Sequence, residues 1–160
     1  MNEIPGDAER TRPDVVVGTE IPPWTMERVD PQRMKTMAAI LRDPYEVHWD
    51  HEAIRPLGFD RVINQGPLNL SYATNMLIAW QGPASIRRLN VRFTQPVFEG
   101  DHLAARGTVT AVEPVDGELR ATCDIHLDRL DATTDDVEED VVMVGTAVVA
   151  VGSAIADTSQ

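Results

Sequence analysis

The segment from residue 66 to residue 80 predicts a helix that is apolar around most of its circumference. Gly66 and Pro67 mark its start, and the segment reaches Trp80 without an acidic residue. Such a helix has no face suited to water, so other elements have to enclose it. Its apolar residues include Leu68, Leu70, Ala73, Met76, Leu77 and Trp80. The sequence therefore predicts a fold organised around one long buried helix.

Alternation of apolar and polar residues predicts the sheet that encloses this helix. The alternation is strict from 118 to 128, and 88–93 and 101–113 follow the same pattern. A further strand is predicted around 22–29, and the tripeptide VDG at 115–117 supplies a hairpin turn. A curved antiparallel sheet wrapped around one helix is an α+β arrangement, the hotdog architecture.

The last predicted strand, 141–151, is apolar on both faces. One face is expected to cover the central helix. The other face then needs a cover of its own, which predicts a contact between subunits.

The length of 160 residues fits one domain, which we place at 15–152. The segments 1–14 and 153–160 show no periodicity and are predicted to be flexible tails. Between two strand patterns, the segment 131–140 carries six carboxylates and is typical of a solvated loop.

The formal net charge of −12 argues against binding to nucleic acid or to an anionic membrane. A small anionic ligand held by a few local arginines remains compatible with it. Cys123 is the single cysteine, and the first residues have neither a basic leader nor an apolar core for secretion, so we expect a cytoplasmic protein. The four histidines show no spacing typical of zinc ligands, and no metal is predicted.

A second helix is predicted from Asp30, which can cap it, with Pro31 in the first helical position. Its apolar stripe consists of Met34, Met37, Ala38 and Leu41. Pro44 disfavours helical geometry in the residue before it, so the helix should end at Asp43. His48 follows five positions later in the stretch RDPYEVHWD, 42–50.

Three stretches together resemble a known family. They are RDPYEVHWD (42–50), FDRVINQGPL (59–68) and VRFTQPVFEGDHL (91–103). In this order and spacing they resemble the MaoC-like branch, the R-specific enoyl-CoA hydratases and acyl dehydratases, over about residues 16–152. The resemblance implies an acyl-CoA thioester as substrate, no bound cofactor, and a homodimer or dimer of dimers, with a hetero-oligomer as the alternative.

The match to the family's catalytic loop is incomplete. That loop usually reads Asp, any residue, Asn, Pro, an aliphatic residue and His. Asp43, Val47 and His48 match, whereas Tyr45 replaces Asn and Glu46 replaces Pro. Two more departures lie ahead of the central helix, where Gln65 occupies a position that is often His and Pro67 one that is often Met.

Adding water to an enoyl thioester requires a base, an acid and a donor for the charge that develops on the thioester oxygen. Asp43 and His48 are the candidate acid/base pair, and which residue transfers which proton stays open. The backbone N–H of Gly66, at a helix N-terminus, is the candidate oxyanion donor. The alternatives are a solvent-facing Asp and His, and a glycine that serves only a tight turn.

Position alone makes Asn64, Gln65 and Tyr45 candidates for substrate binding, because they flank the proposed catalytic residues. Arg88 and Arg92 are candidates for contacts with the phosphates of coenzyme A, and the alternative is that they face solvent.

Three functions compete. The first is a hydratase/dehydratase that interconverts a 2-enoyl-CoA and a 3-hydroxyacyl-CoA. The second is a non-catalytic hotdog partner subunit of a heteromeric hydratase, which Tyr45, Glu46 and Gln65 favour and the presence of Asp43 and His48 disfavours. The third is an acyl-CoA thioesterase, a group that resembles this chain but commonly uses a carboxylate on the central helix, where 67–80 has none.

Overall fold

A computed structural model describes residues 14–130 and 141–153. The strands are β1 (Glu20–Met26), β2 (Ile86–Phe93), β3 (Leu103–Val115), β4 (Glu118–Arg129) and β5 (Val141–Ser153). The helices are α1 (Pro31–Leu41), α2 (His51–Ile54) and α3 (Gly66–Gln81). The acidic segment 131–140 and nearly all of the two tail segments lie outside the described residues.

The five strands form one antiparallel sheet in the order β1-β3-β4-β5-β2. The predicted turn between β3 and β4 is confirmed, because Asp116 and Gly117 both have positive φ, at 52° and 80°. This is the conformation that a tight two-residue hairpin requires. With a helix that contacts every strand, the sheet confirms the predicted α+β hotdog fold.

The helix α3 is buried as its composition predicts. Met76 and Leu77 are 1% exposed or less, and so are the facing side chains of Leu127 on β4 and Met143 on β5. Each such side chain contributes roughly 1.5–3 kcal/mol to folding when fully removed from water. The hydrophobic core therefore lies between α3 and the concave face of the sheet.

The helix α1 begins at Pro31 as predicted and ends at Leu41, two residues before the predicted end at Asp43. The Asp30 side chain accepts a hydrogen bond from the Gln32 N–H at 2.9 Å, which caps the first turn. Leu41 differs from the prediction: it is 41% exposed, although it belongs to the apolar stripe. It is the last helical residue, and the chain turns away at Arg42 before another element covers it.

The segment that follows is more ordered than the predicted loop. Glu46–His48 forms one 3₁₀ turn, α2 follows, and Arg55–Leu57 forms a second 3₁₀ turn. Asp50 caps α2 by accepting a hydrogen bond from the Glu52 N–H at 2.8 Å. In the parts of the chain that the structure describes, no helix is both long enough and apolar enough to span a bilayer.

Candidate active site

A helix exit fixes the position of Asp43. The Asp43 N–H donates to the Ala38 carbonyl at 2.9 Å, and the Arg42 N–H donates to the Ala39 carbonyl at 3.2 Å. This pair of hydrogen bonds is a Schellman motif, whose penultimate residue is left-handed. Arg42 has this conformation, with φ 53° and ψ 40°. The Asp43 carboxylate then accepts the Tyr45 N–H at 3.1 Å, which holds it at the start of the loop.

The backbone also fixes the orientation of the His48 ring. Its Nδ1 lies 2.7 Å from the carbonyl oxygen of Ile63. Since a carbonyl only accepts, we assign the neutral ring's proton to Nδ1. Nε2 then carries the lone pair and is available as a base. The residues between Asp43 and His48 close one turn, which brings the two side chains together.

Nε2 of His48 lies 3.5 Å from Oδ2 of Asp43. This is longer than an ordinary hydrogen bond, so the two groups face one another without a close contact. The His48 side chain is 13% exposed and that of Asp43 is 33% exposed. The arrangement presents two proton-transferring groups to one point at the protein surface.

His48 lines a pocket of about 330 Å³ at the N-terminus of α3. Gly66 lies in its wall, and a Cβ at this position would be 3.1 Å from the Phe93 ring, so the absence of a side chain leaves room there. Among the described residues, no backbone carbonyl accepts the Gly66 N–H. The other lining residues are Ile63, Asn64, Asn69, Thr94, Gln95, Pro96 and Val97.

Asn64 is 2% exposed and borders the pocket. Its Nδ2 donates to Oδ1 of Asn69 at 2.6 Å, while its own Oδ1 has no hydrogen-bond partner among the described residues. Tyr72 packs behind this pair, and burial raises the pKa of its hydroxyl, an effect that the neighbouring Asn64 partly offsets. The sequence analysis missed Asn69 because a polar residue inside an apolar helix carries no positional signal of its own.

Two candidate substrate-binding residues have other contacts. Gln65 is 1% exposed, and its Nε2 donates to the Met34 carbonyl at 2.9 Å, so it ties the start of α3 to α1 and does not line the pocket. Tyr45 is 60% exposed and contacts His48 edge to face, with 5.8 Å between ring centroids. Tyr45 therefore supports the histidine from the solvent side.

Arg88 and Arg92 do not reach the pocket. Both are exposed on β2, whose inward side chains alternate with them. Phe93 lines the pocket, so its neighbour Arg92 points to the opposite face of the sheet. These arginines do not line the pocket at Gly66, and their contact with the phosphates of coenzyme A stays a prediction.

Asp101 is a structural residue that the sequence analysis did not single out. It is 4% exposed and bonds Arg61 at 2.7 Å and Arg129 at 2.9 Å. Its second oxygen also accepts the Phe98 N–H at 3.0 Å, and Arg129 donates to the Pro96 carbonyl at 2.6 Å. These bonds fix the loop 94–100, part of which lines the pocket. The only signal was the GD dipeptide at 100–101 in the third family stretch.

The family model described as MaoC-like domain matches residues 5–129, well over half of the chain. The chain belongs to the MaoC-like domain family. This confirms the resemblance carried by the three stretches and places the protein among MaoC-like hydratases and dehydratases. A search of the curated proteins found no match.

Several solved structures share the fold of this chain. The R-hydratase PhaJ1 from Pseudomonas aeruginosa has a TM-score of 0.71 and 20% identity, with 91% of each chain covered. The (R)-hydratase from A. caviae involved in PHA biosynthesis has a TM-score of 0.70 and 24% identity, over 86% of this chain and 97% of that one. A chain of the ChsH1–ChsH2 complex from Mycobacterium tuberculosis has a TM-score of 0.70 and 21% identity, over 86% of this chain and 98% of that one. At these identities the likeness shows the hotdog fold alone.

Proposed function

We propose that this MaoC-like protein interconverts a 2-enoyl-CoA thioester and a 3-hydroxyacyl-CoA by adding or removing water. The observation that carries the proposal is the orientation of His48. The Ile63 carbonyl holds its Nδ1, and Nε2 is left to face Asp43 beside the pocket that begins at Gly66. Coenzyme A enters as part of the substrate, and the proposal requires no other cofactor.

In the hydration direction, a water molecule near Nε2 of His48 and the Asp43 carboxylate loses one proton to this pair. Its oxygen forms a bond to the β-carbon, and the electrons of the double bond move toward the thioester carbonyl. The Gly66 N–H donates a hydrogen bond to the thioester carbonyl oxygen and stabilises the negative charge that develops there. The dipole of α3 also favours this charge. A proton returned by the pair to the α-carbon completes the product, and dehydration runs through the same steps in reverse.

The loss of enoyl absorbance on incubation with a panel of 2-enoyl-CoA thioesters tests this function. Asp43→Asn and His48→Gln should each lower kcat by about 10²–10⁴, the usual contribution of a positioned acid or base. His51→Gln is the matched control, because His51 is an exposed histidine of the same segment that pairs with Glu99. If both variants kept the turnover of the wild type, Asp43 and His48 would not be the acid/base pair.

A partner-subunit function is the second candidate. Tyr45 and Glu46 depart from the usual loop and are exposed, and a structural neighbour is a two-protein complex, ChsH1–ChsH2. This function predicts no turnover by the purified chain and turnover after a second hotdog chain is added. If Asp43→Asn and His48→Gln left the activity of that assembly unchanged, the chain would be its non-catalytic member.

A further inference from the structure

A second groove lies on the other side of Asp43. This α1 groove has a volume of about 470 Å³ and is lined by Lys35, Ala38, Ala39, Arg42, Asp43, Pro44 and Trp49. Asp43 belongs to this groove, and His48, 3.5 Å away, belongs to the pocket of Gly66. The α1 groove and the pocket therefore meet at the proposed catalytic pair.

One face of α1 forms most of the groove. Lys35, Ala38, Ala39 and Arg42 are spaced i, i+3, i+4 and i+7, which places them along one side of the helix. The two alanines make a low apolar floor, and Trp49 adds an aromatic surface. The cations stand at the two ends, about 10 Å apart along the helix axis.

Neither cation has a partner in the part of the chain that the structure describes. The side chains of Lys35 and Arg42 form no ion pair there, and both line the same groove. On a protein with a net charge of −12, two unpaired cations along one groove are well placed to attract an anion.

The backbone of Arg42 adds a separate observation. Its left-handed conformation is the one that glycine adopts most easily, and a side chain there costs about 1 kcal/mol or more. The helix exit needs only the backbone of this residue. The strained position nevertheless carries a cation, directly beside Asp43.

The order of atoms along the substrate indicates which part of it would lie in the α1 groove. With the thioester carbonyl at Gly66 and the β-carbon at the Asp43–His48 pair, the rest of the acyl chain continues beyond the pair. Asp43 lines the α1 groove and His48, 3.5 Å from it, lines the pocket of Gly66, so an acyl chain that continues past the pair enters the groove. This step rests on the proposed function, which places the thioester in the pocket.

We propose that the α1 groove binds the acyl tail of the substrate and that Lys35 and Arg42 bind an anionic group at the end of this tail. The preferred substrate class is then the coenzyme A thioester of a dicarboxylic acid. The alanine floor and Trp49 contact the methylene chain, and the terminal carboxylate pairs with a cation. Arg42 also offsets the repulsion between that carboxylate and Asp43.

Calorimetric binding of two saturated thioesters, suberyl-CoA and octanoyl-CoA, tests the proposal without turnover. They have the same chain length and differ at the terminal carboxylate. The wild-type protein should bind suberyl-CoA more tightly, by up to about fivefold, as for one exposed ion pair. The double variant Lys35→Gln/Arg42→Gln should lose this preference and keep its affinity for octanoyl-CoA.

Two further variants separate the causes. Arg33→Gln changes the charge of α1 equally, but Arg33 is directed to the sulfur of Met26 on the other side of the helix, so the preference should stay. Arg42→Gly removes the cation and relieves the backbone, and should reduce the preference while raising the thermal stability.

Three results would overturn the proposal. An equal loss of affinity for both thioesters in the double variant would mean that the cations bind the phosphates of coenzyme A. An unchanged preference would mean that they bind no anion of the substrate, and equal wild-type affinities would mean that the tail charge is not recognised. If the protein hydrates enoyl-CoA but does not prefer suberyl-CoA over octanoyl-CoA, only this inference is refuted. If it prefers suberyl-CoA but hydrates no enoyl-CoA, only the proposed catalytic function is refuted.

Discussion

At the scale of the residue, Gly66 combines two requirements. In the proposed function its N–H has to reach the substrate, and its Cα has to leave room for the Phe93 ring, which a Cβ would approach to 3.1 Å. We expect Gly66→Ala to lower kcat/KM by about tenfold, because the ring and the substrate shift by a few tenths of an ångström. Steady-state hydration kinetics measure this change.

The stability of Gly66→Ala should change by less than about 1 kcal/mol, since the Phe93 ring is 47% exposed and free to move outward. The double variant Gly66→Ala/Phe93→Leu should recover part of the activity, because the smaller side chain restores the space. Full activity of the single variant would contradict a role for this position in the pocket.

Cys123 gives a second prediction at this scale. The residue is fully buried on β4, and burial raises the pKa of its thiol to about 11. The thiolate is the reactive form, and below pH 11 the folded protein holds the neutral thiol. An alkylating reagent at pH 8 should therefore leave the native protein unmodified and label it once denaturant unfolds the chain, as mass spectrometry can show. Rapid labelling of the folded protein would contradict the burial.

At the scale of the element, Asp101 connects Arg61, Arg129 on β4 and the loop 94–100. Asp101→Asn leaves Arg61 and Arg129 without their carboxylate in a site where Asp101 is 4% exposed. We expect the free energy of unfolding, measured by denaturant titration, to fall by about 2–4 kcal/mol. The reason is that breaking a buried ion pair leaves the remaining charges without a partner. Since the loop lines the pocket, KM should rise as well.

Glu118→Gln is the matched control for this prediction. Glu118 also bridges two guanidinium groups, those of Arg87 and Arg120, but it lies on the surface and away from the pocket. An exposed bridge contributes little to stability, so the unfolding midpoint and KM should stay close to wild type. Equal effects of the two substitutions would show that Asp101 has no special role in fixing the loop.

At the scale of the whole molecule, the outer face of β4 and β5 is the candidate subunit contact. It contains a groove of about 850 Å³ that includes Val144. The cross-strand neighbours of Val144 are Arg92 and His126, so Val144→Asp would gain favourable pairs in a free monomer and place an additional charge in the candidate contact. We expect an oligomer for the wild type and a smaller species for the variant by light scattering. Unchanged mass would exclude this face as a contact.

The sequence predicted most of the local structure, because local rules decide it. The Asp30 cap, the helix end before Pro44 and the turn at Asp116 and Gly117 each follow from the conformations that a few residues allow. The stretch 42–50 was predicted as a loop and contains a 3₁₀ turn, Glu46–His48, since an element this short leaves too little periodicity to detect. Leu41 was predicted to be buried, and no neighbouring element covers it.

The sequence by itself determined the buried helix, the alternating strands and, through its three family stretches, the membership in the MaoC-like domain family. Only the tertiary structure decided which candidates share a site. It turned His48 toward Asp43 through a bond to the Ile63 carbonyl, directed Gln65 to α1, and left Arg88 and Arg92 outside the pocket. These outcomes depend on contacts between residues far apart in the chain, which no local pattern contains.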